Sequence, residues 1–378
     1  MKSPVSGVRS RSSQASVLFL GAALALAACS TSAPEASPSP SAVDTRPIAI
    51  VSIESEALAD NLIGDPSARN VTVYLPPQYF TSEESFPVVY YLAGHSTGPA
   101  ITNVQVPRDL DQAFETIDPM IVVIISGNNR LQGSFYVDST TTGGWGTFVA
   151  EDVVSYVDAS FRTIPDRDAR GIAGHSMGGF GALDLAMRHP DVFGSVYALA
   201  PGLFDENGIS EFQVFSDEGH IRATLSLLEG LDPADPEAGI AEMAGSSASS
   251  FDFGYGMAFA PTDEFPYLRY PYSLEGDTLV RDDEVWALWE SGFGGIPSEV
   301  AEFGDEWASL NGIGIDCGSN DGYTWIPKGC AYLDAQLTAA GIDHVYATHT
   351  GDHQSRNRER VIEYMLPFFE GVFAAAEG

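Results

Sequence analysis

The sequence predicts an α/β fold: a doubly wound, mainly parallel sheet with a helical cap inserted late in the chain. Three observations carry this. Strand-like and helix-like segments alternate between residues 86 and 199, the order that runs parallel strands through helical crossovers. Two of the strand-like segments, Phe86 to Leu92 and Met120 to Ile125, are nearly unbroken apolar runs, which suit strands covered on both faces. Between a strand-like and a helix-like stretch stands Gly174-His175-Ser176-Met177-Gly178, a glycine-serine-glycine pattern that fits a sharp strand-to-helix turn.

Taken in order, the chain begins with an export signal. Lys2, Arg9 and Arg11 precede the apolar run Val17 to Ala28, which is too short and too rich in small residues to span a membrane. Its end, Leu26-Ala27-Ala28-Cys29, resembles the lipobox of bacterial lipoproteins. That resemblance implies a lipidated Cys29 as the new N-terminus, with two or three acyl chains as a stable anchor; an ordinary signal peptide cut nearby is the alternative. Residues 29–47 are rich in Ser, Thr, Pro and Ala and read as a tether. The folded domain is expected over 48–376.

Ile48 to Ile53 and Asn70 to Leu75 alternate apolar and polar residues, as half-buried antiparallel strands do. A helix is expected over Asp109 to Ile117. A second, over Phe148 to Phe161, places Val149, Val153, Val154, Val157 and Phe161 on one face. The turn at Ser176 leads into a helix over Met177 to His189, then a strand over Val196 to Leu199. From about 203 to 310 the alternation stops, and aromatic and acidic residues dominate. A bare loop of that length is uncommon, so the stretch reads as a mostly helical cap. The sheet resumes at Ile313 to Cys317, a helix at Lys328 to Ala340 ends at Gly341, and His344 to Thr348 is the last strand. A helix over Val361 to Ala375 closes the domain.

Composition narrows the partners. Among 378 residues, 18 Lys and Arg face 52 Asp and Glu, a formal net charge of −34. Losing the leader removes three more positive charges and no negative ones. Such a surface excludes nucleic acid and anionic membrane as electrostatic partners, leaves the lipid anchor as the only membrane link, and suits a salty medium. Cys317 and Cys330 remain beside Cys29, an even pair in an oxidising compartment. They offer a disulfide; two buried thiols are the alternative.

A serine hydroxyl is a weak nucleophile unless a base takes its proton and a carboxylate orients that base. In an α/β-hydrolase arrangement these follow in the order serine, acid, histidine on loops at one sheet edge. Asp316 and Asp321 both follow or end the strand after the cap, and Gly351-Asp352-His353 follows the final strand. Strand residues alternate in direction, so a position past the strand end favours Asp321. His344 and His349 lie in or beside the last strand and are weaker candidates for the base than His353. His189, before Pro190 at a helix end, reads as structural.

These residues carry a resemblance to the putative esterase family of α/β-hydrolases, which groups esterase D, feruloyl and acetylxylan esterases and mycobacterial mycolyltransferases. The matching stretches are Arg69 to Pro77, Val88 to Gly94, Ser134 to Ser139, Gly174 to Gly179 and Gly351-x-His353. The resemblance implies Ser176 as nucleophile, His353 as base, Asp321 as acid, and the backbone N–H groups of Met177 and His95 as an oxyanion hole. It also implies that Tyr136 and Trp145 line the cleft, although packing aromatics would look the same. The cap is longer than in many relatives, and Gln354-Ser355-Arg356 stands where the family often has a Trp. The function expected is an exported serine esterase acting on a small-molecule, polysaccharide or polyester ester. Acyl transfer through the same residues, or a non-catalytic binding scaffold, are the alternatives. No cofactor and no metal are expected, since no His/Cys/Asp cluster has ligand spacing.

Overall fold

The computed structural model describes residues 48–97, 106–246 and 250–376; the leader, the tether and Cys29 lie outside the described residues. Twelve strands are described. Eight form the main sheet: β1 (Ile48–Ile53), β2 (Arg69–Tyr74), β3 (Val88–Leu92), β4 (Ile121–Ile125), β7 (Arg170–His175), β8 (Ser195–Leu199), β11 (Gly312–Gly318) and β12 (Val345–His349). The short pair β5 (Asp138–Ser139) and β6 (Gly143–Gly144), and the hairpin β9 (Tyr272–Glu275) and β10 (Thr278–Arg281), stand apart from it. The sheet order is β1-β2-β4-β3-β7-β8-β11-β12. The β1–β2 and β2–β4 pairs are antiparallel, and the rest of the sheet is parallel.

The apolar runs are strands buried on both faces. Along β4, Ile121, Val123 and Ile125 enter the larger core, while Val122 and Ile124 enter a smaller one on the opposite face. Period-two geometry thus sends one continuous run to two cores. The smaller core is closed by helix α1 (Val106–Ala113) and by Leu366, Phe369 and Phe373 of the final helix Leu366–Ala376. Helix α1 ends earlier than its sequence pattern implied, because both the N–H and the hydroxyl of Thr116 bond the Ala113 carbonyl. Strand β2 also departs from simple alternation: Val71 to Tyr74 are all buried, since both faces are covered, Val71 and Val73 entering the larger core and Tyr74 the smaller one.

On the other face lie helix α2 (residues 145–160, with a π-helical segment Phe148–Val153) and helix α3 (Met177–Arg188). The valine stripe of α2 is buried as its spacing requires, with Phe161 half-buried just beyond.

Strands β8 and β11 bracket the cap, residues 200–311. It contains helices α4 (Glu218–Gly230), α5 (Pro236–Gly245), α6 (Ser250–Phe259) and α7 (Asp283–Glu290). Its β9–β10 hairpin was not legible as strand. Its turn is two residues long, Gly276 and Asp277, with Gly276 at φ +63°, a conformation glycine adopts without strain. Aromatics fill the cap interior. Tyr255 donates its hydroxyl to the Trp289 carbonyl at 2.9 Å and accepts the Phe293 N–H at 2.9 Å, while Trp289 Nε1 donates to the Arg269 carbonyl. Their polar atoms are satisfied, so their full burial stabilises by roughly 1.5–3 kcal/mol per large side chain.

After the cap, β11 leads into helix α8 (Trp325–Ala340), which ends on left-handed Gly341. Cys317 on β11 and Cys330 on α8 are joined in a disulfide. The loop it closes holds Asp321.

Candidate active site

The site is assembled at the carboxyl edge of the parallel strands. Ser176 stands between β7 and α3 at φ 58°, ψ −118°, a strained conformation for a residue with a Cβ. Two glycines make that turn possible. A Cβ on Gly174 would lie 2.1 Å from the Gly178 carbonyl oxygen, and one on Gly178 would lie 2.1 Å from the Leu92 carbonyl oxygen. Strand β8 holds the turn: Ser176 N–H donates to Leu199 at 2.9 Å, and Gly202 N–H donates to the Ser176 carbonyl.

The N–H of Met177, first in α3, has no intrahelical acceptor and carries the positive end of the helix. Gly94, two residues past the end of β3, abuts this turn, with its Cβ position 3.5 Å from Ser176 Cβ. His95 follows it. Its ring is packed between Phe135 and Phe251, and burial pushes its pKa down to about 4. The loop is pinned by Ser96, whose N–H donates to Gln132 O and whose hydroxyl donates to Gln132 Oε1 at 2.7 Å.

Of the two aspartates, Asp321 meets the histidine. Asp321 Oδ2 is 2.7 Å from His353 Nδ1, and its Oδ1 accepts the Tyr323 N–H at 2.8 Å. The loops after β11 and β12 are stitched together: Ser319 N–H donates to His349 O, Asn320 N–H to Gly351 O, and Asn320 Nδ2 to Thr350 O. Asp316 points elsewhere. Its Oδ2 accepts from Arg360 Nε at 2.6 Å and from Tyr197 OH at 2.8 Å, and Asp316 and Arg360 are both buried. His349 lies 3.8 Å from Asp316, and His344 pairs with Asp334 on α8. His189 ends α3, its N–H bonded to Leu185 O.

Ser176, His353, Met177 and His95 line one cavity of about 550 Å³. Its walls include Phe212, Phe251 and Phe293 of the cap, with Tyr323 and Trp325 from the loop and helix after β11. Tyr323 stands edge-on to His353 at 4.9 Å. None of these five was singled out as lining from sequence, because their contacts span long separations. Tyr136 and Trp145, which were, do not line it. Both are fully buried. Tyr136 OH accepts the Gly127 N–H and lies 2.8 Å from Ala93 O and 3.1 Å from Ile125 O, tying the ends of β3 and β4 together. Trp145 Nε1 donates to Thr142 O, under the Arg69 guanidinium. Loop aromatics that pack the core look the same in sequence as those that line a cleft.

His175, inside the motif itself, was also missed. Its Nε2 donates to the His353 carbonyl oxygen at 2.8 Å, and the two rings lie 4.7 Å apart. Burial, then the neighbouring His353, pushes its pKa down to about 4. The residue before Ser176 is therefore a neutral donor that fixes the backbone of His353. Among the described residues, no group of three or more His, Cys, Asp or Glu could hold a metal ion.

Residues 66–220 match the family described as putative esterase. The chain is similar to the putative esterases. The matched segment contains His95, Ser176 and Met177 and stops before Asp321 and His353. An esterase of Mycobacterium tuberculosis is 34% identical over 137 residues, covering 33% of this chain and 27% of its own length. The chain thus spans about a quarter of that relative. Among solved structures, a ferulic acid esterase aligns at TM-score 0.53 with 21% identity, over 86% of this chain and 98% of its own. An S-formylglutathione hydrolase from Agrobacterium tumefaciens aligns at TM-score 0.53 with 18% identity, over 86% and 95%. The fold is that of the α/β-hydrolases.

Proposed function

We propose that the chain is an exported serine carboxylic-ester hydrolase. The observation that carries this reading is the His353–Asp321 pair on the same cavity as the strained Ser176. With Nδ1–H held by Asp321, His353 keeps Nε2 free to take the Ser176 proton. Ser176 Oγ then bonds the ester carbonyl carbon, and the N–H groups of Met177 and His95 receive the charge that develops on the carbonyl oxygen. The ester C–O bond breaks as His353 returns the proton to the leaving alcohol, which leaves an acyl-enzyme. Water, deprotonated by His353, repeats the sequence and releases the acid.

The positively charged start of the leader and Leu26-Ala27-Ala28-Cys29 support export and a lipid anchor at Cys29. Cys29→Ala should then move the protein from the membrane to the soluble fraction or block its processing.

The reading is tested by a panel of p-nitrophenyl esters of increasing acyl length, with methyl ferulate and acetylated xylan alongside. Product analysis in the presence of an added alcohol separates hydrolysis from transfer. Release of free acid that is lost in His353→Ala is the expected result. A folded protein inert to every ester overturns it.

A further inference from the structure

The cap brings a second histidine–aspartate pair to the cavity. His220, on α4, places Nε2 2.6 Å from Asp252 Oδ2 on α6, and Thr224 Oγ1 lies 3.4 Å from the same oxygen. Asp252 is 1% exposed, and its other oxygen is buried without a hydrogen-bond partner. Burial pushes the Asp252 pKa up, and the His220 hydrogen bond, which favours the ionised carboxylate, opposes that rise. An ionised carboxylate holds a proton on the nitrogen facing it. Nε2–H is thereby fixed toward Asp252, and Nδ1 is the nitrogen left for a ligand. His220, Asp217, Ser250 and Asp252 all line the cavity that holds Ser176, and the His220 side chain is 18% exposed.

From this geometry we infer that His220, oriented by Asp252, is a subsite that binds a neutral hydroxyl group carried by the ester substrate. The inference rests on the proposed esterase reading and deepens it. A hydroxyl is the group that Nδ1 accommodates in either protonation state. It donates to the neutral imidazole and accepts from the imidazolium. An anionic group fits poorly: the described lining includes no Lys or Arg, and Asp217 stands beside His220. The aromatic wall of Phe212, Phe251 and Trp325 holds the apolar part of the same substrate. The pair does not enter the bond-making steps; it discriminates among substrates.

The test compares kcat/KM for ω-hydroxyalkyl butyrates against alkyl butyrates of matched length, and for methyl ω-hydroxyalkanoates against methyl alkanoates. The first series carries the hydroxyl on the alcohol side and the second on the acyl side; increasing length scans the reach. One hydrogen bond made in the transition state predicts roughly a tenfold preference for the hydroxylated ester in one series, at the lengths that reach His220. Replacing that hydroxyl by a carboxylate should remove the preference, and so should His220→Phe. Equal kcat/KM throughout both series in the wild-type protein overturns the inference, however the variant folds. A preference that survives in folded His220→Phe also overturns it. A wild type that hydrolyses none of the esters overturns the esterase reading, and this inference with it; hydrolysis without preference leaves that reading standing.

Discussion

The sheet edge and the cap meet at one cavity but are built on different principles. At the edge, backbone geometry dictates the site. Gly174 and Gly178 admit no Cβ, Ser176 is held at positive φ, and the loops after β11 and β12 are tied through main-chain hydrogen bonds. In the cap, side chains do the positioning: Tyr255 packs against both Trp289 and Phe293, and His220 and Asp252 come from separate helices. A frame fixed by backbone tolerates little change in its motif and preserves the chemistry. A wall fixed by side-chain packing changes its lining by substitution and sets which substrate fits.

The largest effect should separate the two aspartates of the frame. Asp321→Asn should leave the fold intact and lower kcat by roughly 10⁴-fold, because His353 loses its tautomer and orientation. Asp316→Asn should act on stability instead. It breaks a buried ion pair with Arg360, at a cost of about 3–5 kcal/mol, while folded enzyme keeps most of its kcat. Denaturant melts beside kcat on a p-nitrophenyl ester read both; an inactive but stable Asp316→Asn would reverse the assignment.

The next effect sharpens the contrast from the cap side. Trp289→Ala removes a fully buried ring that packs against Phe215, Tyr255 and Tyr270, and should cost roughly 3–5 kcal/mol. Its KM across an ester series should change more than its kcat. A kcat loss as deep as that of Asp321→Asn would place the cap in the chemistry and dissolve the distinction.

How much was legible follows the same division. The strands β3 and β4 could be read because apolar runs are what two covered faces require, and the turn at Ser176 because only glycine fits on either side of it. Asp321 could be preferred over Asp316 because a strand residue such as Asp316 turns into the layer, here toward Arg360 and Tyr197. The cavity lining could not be read. Phe212, Phe251 and Trp325 converge across long separations, and no local period records that. Tyr136 and Trp145 misled for the converse reason: a loop aromatic carries no local sign of which way it faces. The β9–β10 hairpin did leave a signal, the two-residue Gly276-Asp277 turn, but its strands are half-buried at best.

A smaller effect is a pH dependence built into the frame. His175 is held neutral with a folded pKa of about 4, below the unfolded value of about 6.5. Between those values the unfolded chain binds a proton that the folded one does not, so stability falls as pH drops through the window from 6.5 to 4. His175 contributes up to roughly 3 kcal/mol of that loss. In His175→Gln, which retains an N–H donor, the slope of stability against pH over this window should be shallower. An unchanged slope would mean that His175 is not held neutral.

The smallest expected effect touches both regions alike. With a formal net charge of −34, repulsion between carboxylates should weaken as salt shortens the Debye length from about 30 Å at 0.01 M to about 3 Å at 1 M. Tm should rise by a few degrees over that range; a flat curve would show that the charges are already balanced locally.

On the proposed reading, Ser176 is the activated nucleophile of the frame and His353 activates it. Covalent labelling by a fluorophosphonate, with the adduct located by peptide mass analysis, tests it most directly. One adduct per chain is expected on the peptide containing Ser176, absent in Ser176→Ala and strongly slowed in His353→Ala. Unlabelled wild-type protein that is folded, or an adduct on any other residue, would contradict it.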